Sequence, residues 1–152
     1  MILEPHDIGS LLSQVVLLME QAVQAKSGEI HRDWNDAPLG VQMDADRMKQ
    51  AMLNIIKNAV EVIPRGGVVT VSASQASKAW VQVDVSDNGE GLSPDDVGRM
   101  FNPDYTTKER GLGLGLPLAH EIIHGHGGEI RVRSEPGEGT TVEIRLPMFR
   151  YE

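Results

Sequence analysis

At 152 residues the chain has the size of one domain, long enough to bury about 70% of its unfolded surface without covalent staples. It has no cysteine, which excludes a disulfide framework, a thiolate metal centre and a cysteine nucleophile. A formal net charge of −8 argues against the basic face of a general nucleic-acid binder, and no apolar run approaches the ~20 residues that span a bilayer.

MILEPHDIGS has neither the basic lead nor the apolar stretch of a secretory signal, so the chain reads as one soluble domain over 1–152. Ile8 to Ala25 places Ile8, Leu11, Leu12, Val15, Val16, Leu18, Met19 and Val23 at helical spacing, and Gly28 offers a stop. Glu29 to Trp34 reads as a short strand, followed by a loop and a brief extended stretch at Val41 to Met43. Asp44 or Asp46 can cap a second helix that runs to about Val62 and stops before Pro64, Gly66 and Gly67. Val68 to Ser74 and Trp80 to Val85 alternate as an antiparallel hairpin. Ser93 and Pro94 open a short helix to Met100, and Phe101 to Gly111 has no period and reads as a loop. A helix from Leu114 to His126 precedes a closing hairpin, Glu129 to Ser134 and Thr140 to Leu146. This order predicts an α/β (α+β) two-layer sandwich, with helices on one face of a mixed, mainly antiparallel sheet.

Three segments carry the chemistry. Asn54 and Asn58 stand four apart, so both project from one helix face beside Lys57. A carboxamide oxygen is a hard neutral ligand suited to magnesium, and lysine meets phosphate as a point charge. Alone, such a pair is more often just a solvated helix face. In DNGEGL, Asp87 closes a Val-rich strand, where a carboxylate can accept a hydrogen bond from an exocyclic amine such as adenine N6. Asp-Asn-Gly is also ordinary turn chemistry, but Gly89 and Gly91 are more glycine than one turn needs. Gly111, Gly113 and Gly115 lead into a helix whose first amides can bind phosphate, with Thr106, Thr107 and Lys108 at the edge. The spacing matches neither the dinucleotide fingerprint nor the P-loop. His120 and His124 formally match H-E-x-x-H, yet no third ligand follows at a zincin spacing, so zinc proteolysis is rejected.

In this order the motifs resemble the catalytic, ATP-binding domain of sensor histidine kinases, in the GHKL superfamily. Asn54 to Glu61 is similar to the N box, Asp87 to Gly91 to the first glycine box, and Phe101 to Lys108 to the F box. Gly111 to Gly115 is similar to the second glycine box, and Gly137 to Thr141 to the closing GxGT turn. The resemblance implies the Bergerat fold, ATP and Mg2+ as ligands, and Asn58 as the magnesium ligand. It implies catalytic-side roles for Asn54, at the phosphates, and Lys57, in contact with them. Asp87 would read the adenine amine, Gly89 and Gly91 would shape the base pocket, and Thr140 or Thr141 would help through water. Tyr105, Thr106, Thr107, Lys108, Gly111, Leu112, Gly113, Leu114 and Gly115 would form the lid. Leu112 stands where Thr is common, Val62 where Ala is frequent and Tyr105 where Phe is frequent.

The implied activity is phosphoryl transfer from Mg-ATP to a histidine on a separate dimerisation domain, then to a response regulator. That acceptor domain is not seen in this sequence, and His6 lacks the acceptor motif. Relatives that hydrolyse ATP or phosphorylate serine carry Glu where Asn54 stands, and a carboxamide cannot serve as their general base. The implied setting is cytoplasmic, in a parent that is often membrane-bound in this family. A non-catalytic nucleotide-gated regulatory or protein-binding module is the alternative.

Overall fold

The computed structural model describes residues 1–35, 37–99 and 115–149. They form β1 (Glu4–Asp7), α1 (Ile8–Ala25), β2 (Glu29–Asp33), β3 (Gly40–Met43), α2 (Ala45–Val62), β4 (Val68–Gln75), β5 (Trp80–Asp87), α3 (Pro94–Arg99), α4 (Gly115–Gly125), β6 (Glu129–Glu135) and β7 (Gly139–Pro147). Five strands make one sheet in the order β2-β4-β5-β7-β6. Only β2 and β4 run parallel; the other neighbours are antiparallel. This is the mixed sheet expected from the element order.

Period-two alternation decides which face is covered. Val69, Val71 and Ala73 on β4, Val81, Val83 and Val85 on β5, and Val142, Ile144 and Leu146 on β7 are all buried. α2 packs on α1, α4 and β5, and α4 also contacts β6. The buried stripe of α2 includes Met48, Met52, Ile55, Ile56 and Val60; burying each such side chain is worth roughly 1.5–3 kcal/mol. The other sheet face is polar. There Gln82 bonds to Asp84 at 3.0 Å, Ser86 to Thr141 at 2.8 Å, and Arg133 pairs with Glu143.

Contrary to the expectation that no apolar run approaches a bilayer span, α1 is the one helix among the described residues long and apolar enough, by length and composition, to cross a membrane. Here Ile8, Leu12, Val15 and Val23 are buried in the core shared with α2. Leu18, expected on the buried face, is exposed beside Leu17, at the outer edge of the stripe next to Leu11 and turned away from its centre at Val15 and Met19. Strand β1 was not expected. EPHD contains Pro5 and no β-branched residue, and it is extended because it pairs antiparallel with β3 as a two-stranded ribbon.

Of the two candidate caps for α2, Asp44 takes the position and accepts from Arg47 N–H at 3.2 Å. At the end of α1 the left-handed residue is Ser27 (φ 53°), not Gly28. Gly28 N–H bonds to Val23 C=O and Ser27 N–H to Gln24 C=O, the paired bonds of a Schellman turn.

His126 joins two helix ends. It is buried, its Nδ1 lies 2.7 Å from Ile122 O, and its Nε2 lies 3.1 Å from the backbone nitrogen of Asp44. A carbonyl can only accept and an N–H can only donate, so these contacts fit the tautomer with its proton on Nδ1 and the lone pair on Nε2. His126→Phe should lower stability by about 1–3 kcal/mol for each group it orphans, read as a lower urea midpoint with unchanged slope.

Candidate functional site

The site grows from the end of β5. The strand extends two residues past Val85, and Asp87 pairs in register with Thr140 on β7. The Asp87 side chain shares the face of Val81, Val83 and Val85, so it points toward the helical layer. Gly89 N–H donates to its Oδ1 at 2.9 Å. Burial raises the Asp87 carboxyl above its ordinary value, and backbone N–H groups of Gly89 and Thr140 pull the other way. A half-buried carboxylate with so little compensation is suited to a hydrogen-bond donor brought by a ligand.

The loop after Asp87 is held by backbone approaches that only glycine allows. Gly91 has φ 76°, and a methyl group there would lie 2.1 Å from Glu135 O. Gly139, with φ 87°, would bring one 2.1 Å from Asp87 O. Such positive φ values are strained for residues with a Cβ. Gly137 N–H bonds to Glu90 O at 2.6 Å, so the β6–β7 turn and the Asp87 loop support one another.

Ser134, which sequence reasoning missed, is the junction beneath. Its Oγ accepts from Leu92 N–H at 2.7 Å and lies 3.0 Å from Gly139 O and 2.8 Å from Thr140 Oγ1. One hydroxyl proton can serve only one of the two oxygens; donated to Gly139 O, it leaves the Thr140 hydroxyl to donate back. Asn88 was also missed as a side chain. Its Oδ1 accepts from Val68 N–H at 2.8 Å and fixes the start of β4 to the end of β5. The Asx-type turn was the signal available for it.

The second half of the site lies on α2. Asn58 Oδ1 is buried and has no hydrogen-bond partner among the described residues. An orphaned buried carbonyl oxygen costs about 1–3 kcal/mol, so it fits a hard cation or a bound water. Asn54 lies one turn earlier, half-buried. Lys57 is exposed, with Nζ 4.0 Å from Glu61 Oε1, a contact weak enough to exchange for phosphate. The last residue of this helix meets the Asp87 loop, since Val62 O would lie 2.7 Å from a methyl group at Gly89. The structure therefore brings the Asn58 turn and the Asp87 loop to one end of the molecule.

Gly115 opens α4 as expected. Tyr105, Thr106, Thr107, Lys108, Gly111, Leu112, Gly113 and Leu114 lie outside the described residues. A cleft of about 630 Å3 under α3 is lined by Pro94, Val97, Ser134 and Thr141, among others. Neither Asp87 nor Asn58 lines it, so the chemistry places the candidate site beside this cleft rather than in it. His120 and His124 meet edge to face at 5.0 Å, and no group of three His, Cys, Asp or Glu that could hold a metal occurs among the described residues.

Residues 43–150 match the profile of the histidine kinase-, DNA gyrase B- and HSP90-like ATPases. The chain belongs to this family. Within it, sensor histidine kinases are prominent among the relatives. Sensor histidine kinase ZraS of Escherichia coli K12 is 36% identical over 146 residues, which cover 96% of this chain and 31% of that protein. Sporulation kinase C of Bacillus subtilis is 33% identical over 144 residues, covering 94% and 33%. The chain thus spans about a third of the length of these relatives. Among solved structures, the mycobacterial sensor histidine kinase MprB superposes with a TM-score of 0.88 at 25% identity, covering 99% of this chain and 100% of that one. Full-length ShkA in complex with AMPPNP gives a TM-score of 0.87 at 31% identity, covering 98% and 32%. The family fold is the two-layer sandwich described above.

Proposed function

We propose that this chain is the ATP-binding catalytic domain of a sensor histidine kinase, presenting the γ-phosphate of Mg-ATP to a histidine on a separate dimerisation domain. The observation that carries this reading is the buried Oδ1 of Asn58, which has no partner among the described residues, at the end of the molecule where Asp87 stands. Asp87 accepts from the adenine amine, Thr140 supports it, and Gly89 and Gly91 let the base approach the backbone. Asn58 holds Mg2+, Asn54 and Lys57 face the phosphates, and Tyr105 to Gly115 close over them. Magnesium, when bound, neutralises charge on the phosphate oxygens during transfer. The ShkA complex with AMPPNP, a nucleotide analogue, supports the ligand class.

What the protein's own residues supply is position and electrostatics, which is most of what phosphoryl transfer needs. A neutral imidazole attacks through a lone pair, so no general base is required beside the γ-phosphate. Asn54, a carboxamide, suits that chemistry and not activation of water. The reading extends to a response regulator as the next acceptor and to the cytoplasm, where ATP is available.

The test supplies labelled Mg-ATP to the chain, alone and mixed with the dimerisation domain of a related kinase. Label should appear on that domain's histidine and disappear with Asn58→Ala. The chain alone should stay unlabelled at His6, which sits on β1 with its Nε2 3.9 Å from Glu4. Stable phosphohistidine on the chain itself, or transfer indifferent to Asn58, would overturn the proposal.

A further inference from the structure

Lys26 follows α1 in a stretch that reads as generic surface charge, and lysines are mostly solvated. Its Nζ is instead committed to the far end of another helix. It donates to Glu61 O at 2.7 Å, Val60 O at 2.9 Å and Ile63 O at 3.1 Å. Three donors and three carbonyls match in number. A helix leaves its last carbonyls without intrahelical partners and carries partial negative charge there, and α2 has no basic residue in its own last turn. Lys26 supplies the missing cation from outside.

The carbonyl that Lys26 skips is Val62 O, and this is the one set against Gly89. The last turn of α2 is therefore shared, with three carbonyls to the ammonium and the fourth to the Asp87 loop. Neighbouring backbone bonds extend the clasp. Gly66 N–H donates to Lys26 O at 2.7 Å, and Glu29 N–H donates to Gly67 O at 2.9 Å. A methyl group at Gly67 would lie 2.9 Å from Asn88 Oδ1. Segments 26–29, 62–67 and 87–89 thus hold one another around the base of Asp87.

We infer that Lys26 is a positioning residue for nucleotide binding, setting the height of the Asp87–Gly89 loop through the final turn of α2. The inference rests on the nucleotide reading given above. With the ammonium removed, the last turn of α2 is free to fray, Val62 O loses its fixed place, and Gly89 no longer holds Asp87 Oδ1 in one position.

Two measurements on Lys26→Met, Lys26→Arg and Asp87→Asn test it. The first is the amide spectrum of the nucleotide-free protein. Lys26→Met should shift Gly89 and Asn88 while leaving Gly98, on α3, in place, and Lys26→Arg should restore most of the shift. The second is calorimetric titration of Mg-ADP well below each variant's thermal midpoint. Lys26→Met should weaken binding about 3–30-fold, the range of couplings carried through packed neighbours, with Lys26→Arg recovering most of it. An unmoved Gly89 amide overturns the positioning role whatever the nucleotide does. Affinity within twofold of the parent, while Asp87→Asn binds poorly, overturns it too. A shifted Gly89 in a protein that binds no nucleotide at all would uphold the mechanical link and remove the functional reading above it. If Lys26→Met does not fold, Lys26→Gln, which keeps a neutral donor, takes its place.

Discussion

Asp87→Asn should weaken Mg-ATP binding by about 10–100-fold, the effect of losing a hydrogen bond to a charged group, while making the nucleotide-free domain more stable at pH 7. The two effects have opposite signs for one reason. Burial holds the Asp87 carboxyl above its ordinary value, so between the two values the native state keeps a proton that the unfolded chain has already released. Wherever the native state binds more protons than the unfolded one, stability falls as pH rises. For Asp87 that loss occurs as pH climbs from the ordinary carboxylate range through the raised native value. At neutral pH the charge is a standing cost that ligand donors offset. Asparagine carries no charge and escapes the cost. Thermal midpoints of the two proteins without nucleotide should differ most at pH 7 and converge as pH falls into the carboxylate range. A variant that is less stable at pH 7 and still binds normally would contradict the assignment.

Gly139→Ala should be, with Gly91→Ala, among the most damaging single methyl groups in the described structure. The position has φ 87°, and the added carbon would lie 2.1 Å from Asp87 O and 3.1 Å from Asn88 Cα. The first contact is with strand backbone, which cannot move aside without breaking the Asp87–Thr140 register. Left-handed strain and the clash act together, and the expected loss is about 3–5 kcal/mol, near the upper end for point mutants. Denaturant unfolding would read it directly. A neighbouring control is Gly137→Ala. Gly137 has φ 84° but open space around its Cβ, so its loss should be limited to backbone strain, about 1–2 kcal/mol. Equal losses at the two positions would mean that the close approach to Asp87 is not what holds the loop.

The sheet was legible because its strands announce themselves locally. Valine at every second position of β4 and β5 gives both the element and its buried face, and Asp87 was visible as the carboxylate where that pattern ends. The two asparagines of α2 were legible as a pair but not as individuals. Both are half-buried, and what sets Asn58 apart is its buried Oδ1, which has no partner among the described residues. What escaped was non-local. β1 exists because of β3, some 35 residues away, and nothing in EPHD signals a strand. Lys26 reaches carbonyls of residues 34 to 37 positions on, and Ser134 meets Leu92 across 42. No window of sequence contains such partners. Gly28 takes part in the stop of α1, but not as its left-handed residue. Ser27 takes the left-handed turn, and Gly28 is glycine because a side chain there would meet Gly67 O at 2.6 Å.

Among the described residues the sheet is open, ending in β2 on one side and β6 on the other. An unpaired strand edge is a template for another chain's backbone, the usual beginning of aggregation. β2 carries Glu29, His31, Arg32 and Asp33, and β6 carries Glu129, Arg131, Arg133 and Glu135. Added strands would have to desolvate these charges, and a second copy would also bring its own net negative charge. The domain can therefore be present at high local concentration, tethered or free, without its open sheet seeding fibres.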